Sequence, residues 1–187
     1  LNGKEVSWQW DKDRNLADVL RREFELFALK VGCENGECGT CTVIVDGDSK
    51  QACQLFEKDV IGHNITTLEG IPEAQRRYYA QGLSKVGMRC GYCLPGLTVD
   101  WHNLLSQDAR PSRARILELL SHHYCRCSGY IPWLYALQEM VMIGSQRTLP
   151  TIDFHTDKGL QRIPRLTENA GAAHLLEELF NGEPFLI

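Results

Sequence analysis

The chain has 187 residues, which is enough for one large domain or two small ones. Hydrophobic residues make up 43% and charged residues 24%, as is usual for globular proteins that fold in water. The net charge of −4 excludes the strongly basic balance that nucleic acid or an anionic membrane surface would favour. No apolar run approaches the ~20 residues of a membrane-spanning helix, so we expect no membrane span.

The first elements in chain order are a predicted strand and a predicted helix. Residues Val6–Trp10 alternate apolar and polar side chains, which predicts a half-buried strand. An amphipathic helical pattern then begins at Leu16, and Asn15 stands where a helix N-cap is expected.

A hairpin is the next predicted element. The β-branched run at residues 42–45 predicts a strand, and Asp46-Gly47 is a strong hairpin turn signal. The return strand is expected to include residues 51–53, and a further strand is expected within 64–68. Residues 1–71 are therefore predicted to form a small β-rich domain that contains half of the cysteines.

Helical signals dominate from residue 72 onward. Proline favours the first turn of a helix, and the pattern predicts four amphipathic helices that begin near residues 72, 95, 111 and 132. Four such helices can bury one another as a small bundle, so residues 72–145 are interpreted as a second domain. Residues 146–187 form an extended tail without cysteines, with one predicted helix from Glu168 to Phe180. We expect this tail to dock on a partner or on the chain's own domain, and the beginning of a fused neighbour is the alternative.

The eight cysteines fall into two groups of four. The first group is Cys33, Cys38, Cys41 and Cys53, spaced C-x4-C-x2-C-x11-C. The first three follow the plant-type pattern of ligands to a [2Fe–2S] cluster. Gly36 and Gly39 lie inside this loop, where glycine lets the backbone approach a cluster closely. Backbone N–H groups directed at the sulfur atoms would stabilise the negative charge there.

The second group is Cys90, Cys93, Cys125 and Cys127, spaced C-x2-C-x31-C-x-C. Each pair precedes a predicted helix, whose N-terminal N–H groups could face a negatively charged cluster. Taken alone, this spacing fits zinc equally well. Because the second group occurs in the same chain as the first, a second [2Fe–2S] cluster is favoured over zinc.

Disulfides and structural zinc are the alternative uses of the eight cysteines. Disulfides suit small secreted chains, whereas gaps of one or two residues place thiols side by side around a metal. The zinc alternative would make the chain a zinc-stabilised interaction module. With clusters assumed, we expect a reducing compartment and a cytoplasmic location, although the chain opens on Leu1 and a removed leader stays open as an alternative.

Four ordered motifs carry a resemblance to a known family. They are residues 32–43 (GCENGECGTCTV), 65–70 (ITTLEG), 90–96 (CGYCLPG) and 125–130 (CRCSGY). In this combination, about residues 1–145 resemble the two-cluster iron–sulfur subunit, or N-terminal iron–sulfur region, of the molybdenum hydroxylases related to xanthine dehydrogenase and aldehyde oxidoreductase.

The resemblance implies an α+β fold, with a β-grasp ferredoxin-like domain followed by a four-helix-bundle [2Fe-2S] domain. It also implies partners: a large molybdopterin-binding subunit, and a FAD-binding medium subunit or another electron acceptor. Electrons would pass from molybdenum to the second cluster, then to the first cluster and the acceptor. No catalytic residue is expected in this chain. The alternative is a stand-alone two-cluster ferredoxin that serves another reductase.

Three residues depart from the family pattern. Arg89 occupies the position where the family commonly has a glutamine that contacts molybdopterin. Either Arg89 makes that contact in its place or the contact is altered. His122 and His123 stand where small or amide residues are usual. Because eight cysteines already complete both ligand sets, we expect these histidines to have a structural or hydrogen-bonding role.

Overall fold

The described part of the chain combines a small sheet with helices, which confirms the predicted α+β class. The computed structural model describes residues 1–11, 13–84, 90–127 and 130–144. Arg89 and the predicted tail with its helix at 168–180 lie outside these residues. In the described ranges, no helix is both long enough and apolar enough to cross a membrane.

The strand predicted at Val6–Trp10 is wrong, because these residues have no regular secondary structure. Val6 is 46% exposed and Trp8 is 40% exposed, so the alternating pattern does not correspond to a buried face. Trp10 bonds locally, since its indole Nε1 donates to the Arg14 carbonyl at 2.8 Å. An alternating pattern of five residues therefore occurs here in a segment that pairs with no strand.

Helix α1, Leu16–Arg22, begins where the sequence predicted. The Asn15 side chain accepts a hydrogen bond from the Asp18 N–H at 3.0 Å, which satisfies one of the free donors of the first turn. Leu16 and Leu20 are one turn apart and are almost fully buried. The helix therefore packs through one apolar stripe.

The sheet consists of β1 (Thr42–Val45), β2 (Asp48–Gln51) and β3 (Ile65–Thr66) in the antiparallel order β2-β1-β3. Asp46 and Gly47 both have positive φ, 49° and 92°, as the predicted two-residue hairpin turn requires.

The return strand is shorter than predicted. The register ends at the pair Thr42 and Gln51, and the chain then enters a 3-10 turn, Ala52–Gln54. Ala52 N–H donates to the Cys41 carbonyl at 3.1 Å as the turn begins. Cys53 therefore lies in this turn, beside Cys41, rather than in the strand.

The four predicted helices are confirmed, and a short additional helix precedes them. Their bounds are α2 Glu57–Val60, α3 Glu73–Ser84, α4 Leu94–Gln107, α5 Arg113–Ser121 and α6 Ile131–Gly144. Proline lies in the first turn of α4, and Ser112 caps α5 by accepting from the Arg115 N–H at 3.3 Å. Proline in the first turn is the signal that predicted α4, whereas the Ser112 cap was not predicted.

Strand β1 is buried on both faces and separates two apolar cores. Val43 and Val45 point into one core with α1, whereas Ile44 packs into the other with Leu97 of α4 and Trp133 of α6. The sheet and the helices therefore share an interface along β1. A domain boundary after residue 71 stays a prediction.

Candidate metal centres

The first cysteine group lies in the loop between α1 and β1 and in the turn that follows β2. Cys38, Cys41 and Cys53 are buried, and Cys33 is partly exposed. The Cys33 sulfur lies next to Cys38, whose N–H donates to it at 3.4 Å, and the Cys53 thiol is close enough to Cys41 to help raise the pKa of the Cys41 thiol. The structure thus brings all four predicted residues together as two close pairs.

Backbone N–H groups surround the Cys33 sulfur. Burial alone would raise the pKa of the Cys33 thiol, but N–H groups of Cys38, Asn35 and Glu37 outweigh it and lower the pKa to about 7. The Cys38 N–H donates to the Cys33 Sγ at 3.4 Å. Donors arranged in this way stabilise a thiolate, the form that binds iron.

The Cys41 thiol has the opposite electrostatic environment. Burial, together with the nearby Cys53 sulfur, raises the pKa of the Cys41 thiol to about 12. A buried thiol of this kind keeps its proton unless a metal compensates the charge. The pair formed by Cys41 and Cys53 therefore requires a cation to hold two thiolates together.

The loop conformation depends on two glycines. Gly36 and Gly39 have φ of 85° and 71°, in the left-handed region that favours glycine. A Cβ at Gly39 would collide with the His122 carbonyl oxygen. Gly39 therefore permits a close approach by another backbone segment, while the approach of these glycines to a cluster stays a prediction.

The second cysteine group lies where two helices begin. Cys90 and Cys93 directly precede α4, and Cys125 and Cys127 precede α6. The Sγ atoms of Cys90 and Cys127 are 3.9 Å apart. Burial and the adjacent Cys125 thiol raise the pKa of Cys93 to about 12. This group again forms two close pairs.

The donor set in both groups fits a [2Fe–2S] cluster. Such a cluster takes four thiolates, two at each iron, and the inorganic sulfides complete each tetrahedron. Two separate pairs match this requirement better than the single tetrahedron of a zinc site. Among the residues that the structure describes, no three His, Cys, Asp or Glu side chains form a group that could hold a single ion. No two of the described cysteines are joined by a disulfide.

The segments that hold the two groups are in direct contact. The Tyr124 N–H donates to the Cys38 carbonyl at 3.0 Å, one residue before Cys125. A Cβ at Gly96 of α4 would collide with the Gly39 carbonyl oxygen. His123 is 1% exposed, and its Nε2 lies 2.8 Å from Asp100 Oδ2, which confirms the predicted hydrogen-bonding role.

The sequence patterns did not point to two polar side chains that lie beside cysteine sulfur atoms. Thr40 Oγ1 lies 3.2 Å from Cys38 Sγ, and the Gln54 amide Nε2 lies 3.6 Å from Cys53 Sγ. Both residues lie within two positions of a predicted ligand, which is the one sequence signal that could have drawn attention to them.

Comparison with known families agrees with this geometry. Residues 1–63 match the family described as "2Fe-2S iron-sulfur cluster binding domain", and residues 67–138 match the "[2Fe-2S] binding domain". The two matches cover both cysteine groups in order. The chain therefore carries two [2Fe–2S] clusters.

Two individual relatives are similar to this chain over most of its length. The chain is 37% identical over 133 residues to the nicotinate dehydrogenase small FeS subunit of Eubacterium barkeri, covering 70% of this chain and 85% of the relative. It is also 37% identical over 148 residues to aldehyde oxidoreductase of Megalodesulfovibrio gigas, covering 76% of this chain but only 16% of that longer relative.

A solved structure confirms the predicted order of a ferredoxin-like domain and a helical domain. Aldehyde oxidoreductase from Desulfovibrio gigas superimposes with a TM-score of 0.68 at 34% identity, covering 80% of this chain and 18% of that one. The sequence identity, the 85% coverage of a small FeS subunit and the two cluster-binding families agree. This chain belongs to the [2Fe–2S] electron-transfer subunits of the molybdenum hydroxylases.

Proposed function

We propose that the first cluster is held by Cys33, Cys38, Cys41 and Cys53, and the second by Cys90, Cys93, Cys125 and Cys127. The observation that supports this assignment is the pairing of thiols within each group. In this proposal, Cys33 and Cys38 bind one iron of the first cluster and Cys41 and Cys53 bind the other.

The proposed role of the chain is to relay electrons between partner subunits. A bound [2Fe–2S] cluster accepts and returns one electron at a time. Cys90 and Cys127 are exposed, so the second group is accessible to a large molybdopterin-binding subunit. The first group would face a FAD-binding subunit or another acceptor.

We also propose a cytoplasmic location, where thiols stay reduced, and docking of residues 146–187 on a partner.

The test is purification of the native complex without exposure to air. We expect molybdenum and flavin to accompany the chain, with about four irons and four acid-labile sulfides per chain. Cys53→Ser and Cys125→Ser should each alter a different one of two EPR signals of the reduced protein. Isolation of a monomer without molybdenum would instead favour a stand-alone ferredoxin, and zinc without iron would exclude electron transfer.

Arg89 precedes Cys90 directly, and we propose that it contacts the molybdopterin of the partner subunit. A guanidinium forms strong, charge-assisted hydrogen bonds with phosphate. In the assembled complex, Arg89→Ala should slow reduction of the second cluster by the molybdenum centre while iron content stays unchanged. An unchanged rate would contradict the contact.

A further inference from the structure

We propose that Gln54 is a positioning residue that acts through Cys53 to raise the reduction potential of the first cluster. This inference rests on the proposed ligand assignment. The residue lies in the 3-10 turn after β2, directly after Cys53, and its side chain reaches back over the ligand loop.

The Gln54 amide nitrogen is placed to donate in two directions. Its Nε2 lies 2.8 Å from the Glu34 carbonyl oxygen. It also lies 3.3 Å from the Cys53 carbonyl oxygen and 3.6 Å from the Cys53 Sγ. An amide NH2 group has two hydrogens. One hydrogen therefore serves Glu34, and the other is directed at Cys53.

The ligand loop is shaped to receive this side chain. Glu34 has a positive φ of 60°, which is uncommon for a residue with a side chain, and its carbonyl accepts from Gln54. Gly36 has a φ of 85°, and a Cβ there would lie 2.8 Å from Gln54 Cγ. The glutamine stem thus occupies the space that the missing side chain of Gly36 leaves.

The contact with sulfur has an electrostatic consequence. Reduction adds one negative charge to a cluster, and N–H donors to ligand sulfur stabilise that charge. Cys53 is 3% exposed, so water has little access to replace a lost donor. Removal of the Gln54 amide should therefore disfavour the reduced state.

The experiment is a redox titration of the loaded protein followed by EPR, with Gln54→Leu as the variant. We expect one midpoint potential to fall by about 30–60 mV. At 59 mV per tenfold for a one-electron couple, this fall corresponds to an equilibrium constant for reduction that is about threefold to tenfold smaller. Gln54→Met keeps an unbranched stem against Gly36 and should give the same fall. Gln107→Leu is the matched control, because Gln107 Nε2 donates to the Gly47 carbonyl at 2.8 Å rather than to a cysteine.

The moving midpoint should be the one that Cys53→Ser also alters. The inference is overturned if neither midpoint moves in the Gln54 variants, or if both midpoints move together. A structural role alone would lower cluster occupancy without a selective shift of one potential. Failure of the proposed ligand assignment is separate, since Cys53→Ser and Cys125→Ser would then not alter two different EPR signals of the reduced protein.

Discussion

The imidazole of His123 packs directly on the backbone of Gly39. A Cβ at position 39 would lie only 2.5 Å from His123 Nδ1. The same ring is held from its other side, because His123 Nε2 lies 2.8 Å from Asp100 Oδ2 on α4. A histidine two residues before Cys125 thus connects α4 with the loop of the first cysteine group. The proposed relay depends on this contact to keep the two groups in fixed relative positions.

Replacement of Gly39 should disrupt that contact. Gly39→Ala places a side chain in a left-handed conformation and forces it against the His122 carbonyl oxygen and the His123 ring. We expect the free energy of unfolding to fall by about 2–5 kcal/mol from backbone strain and overpacking together. Urea denaturation and iron content are the measurements.

The matched control for that change is Gly62→Ala. Gly62 has a similar φ of 77°, but a Cβ there meets nothing within 4 Å. We expect a loss of only about 1–2 kcal/mol from the backbone conformation, with iron content unchanged. Equal losses in the two variants would show that the packing of His123 on Gly39 contributes nothing.

The Asp100 carboxylate should stabilise the buried histidine. Asp100→Ala leaves His123 Nε2 without an acceptor, and His123 Nδ1 already has no hydrogen-bond partner in the described structure. We expect a loss of about 1–3 kcal/mol in the free energy of unfolding. Asp108→Ala, which removes an exposed acceptor from the Arg110 N–H, should cost about 0.5 kcal/mol. If the two aspartate variants are equally stable, the buried pair has no net effect.

Signals that act over a few residues were sufficient to predict much of the fold. Asn15 and the Asp46-Gly47 turn each act on their own helix or hairpin, and the structure places them as predicted. Alternation at Val6–Trp10 failed because a strand needs a partner, and the local pattern does not specify one.

The cysteine spacing predicted the two groups because it reflects the reach of a loop around one cluster. It could not reveal Gln54, whose amide depends on the path of a 3-10 turn after β2. Nor could it reveal the contact of His123 with Gly39, which joins residues more than eighty positions apart. Both contacts are set by tertiary packing, and neither has a local pattern.

A half-buried histidine on α4 should make stability depend on pH. Burial lowers the pKa of His102, and its Nδ1 lies 3.2 Å from the Tyr79 hydroxyl oxygen. The folded state therefore favours the neutral ring. The contribution of His102 to the free energy of unfolding is fully present above the pKa of the unfolded state, about 6.5. It is lost as the pH falls through the lower pKa of the folded state.

His102→Asn should reduce this dependence, since asparagine retains a polar group near Tyr79 but does not titrate. Urea midpoints of variant and wild type should converge as pH falls from about 7.5 to about 5.5. Parallel curves over that range would exclude His102 as the titrating group.

The Thr40 hydroxyl should raise the potential of the first cluster, independently of Gln54. Thr40 is 4% exposed, and its Oγ1 lies 3.2 Å from Cys38 Sγ. A ligating thiolate carries no proton, so the hydroxyl must donate. Thr40→Val keeps the shape of the side chain and should lower one midpoint potential by about 30–60 mV.

Thr42→Val is the matched control for this measurement. Thr42 is 3% exposed, but its hydroxyl donates to the Gly39 carbonyl at 2.7 Å rather than to sulfur. Thr42→Val should lower the free energy of unfolding by about 0.5–1.5 kcal/mol and leave both midpoint potentials unchanged. A shift of the same size in both threonine variants would mean that loop distortion, rather than the bond to Cys38, sets the potential. The midpoint that Thr40→Val lowers should be the one that Cys53→Ser alters, because Cys38 and Cys53 are proposed to ligate the same cluster.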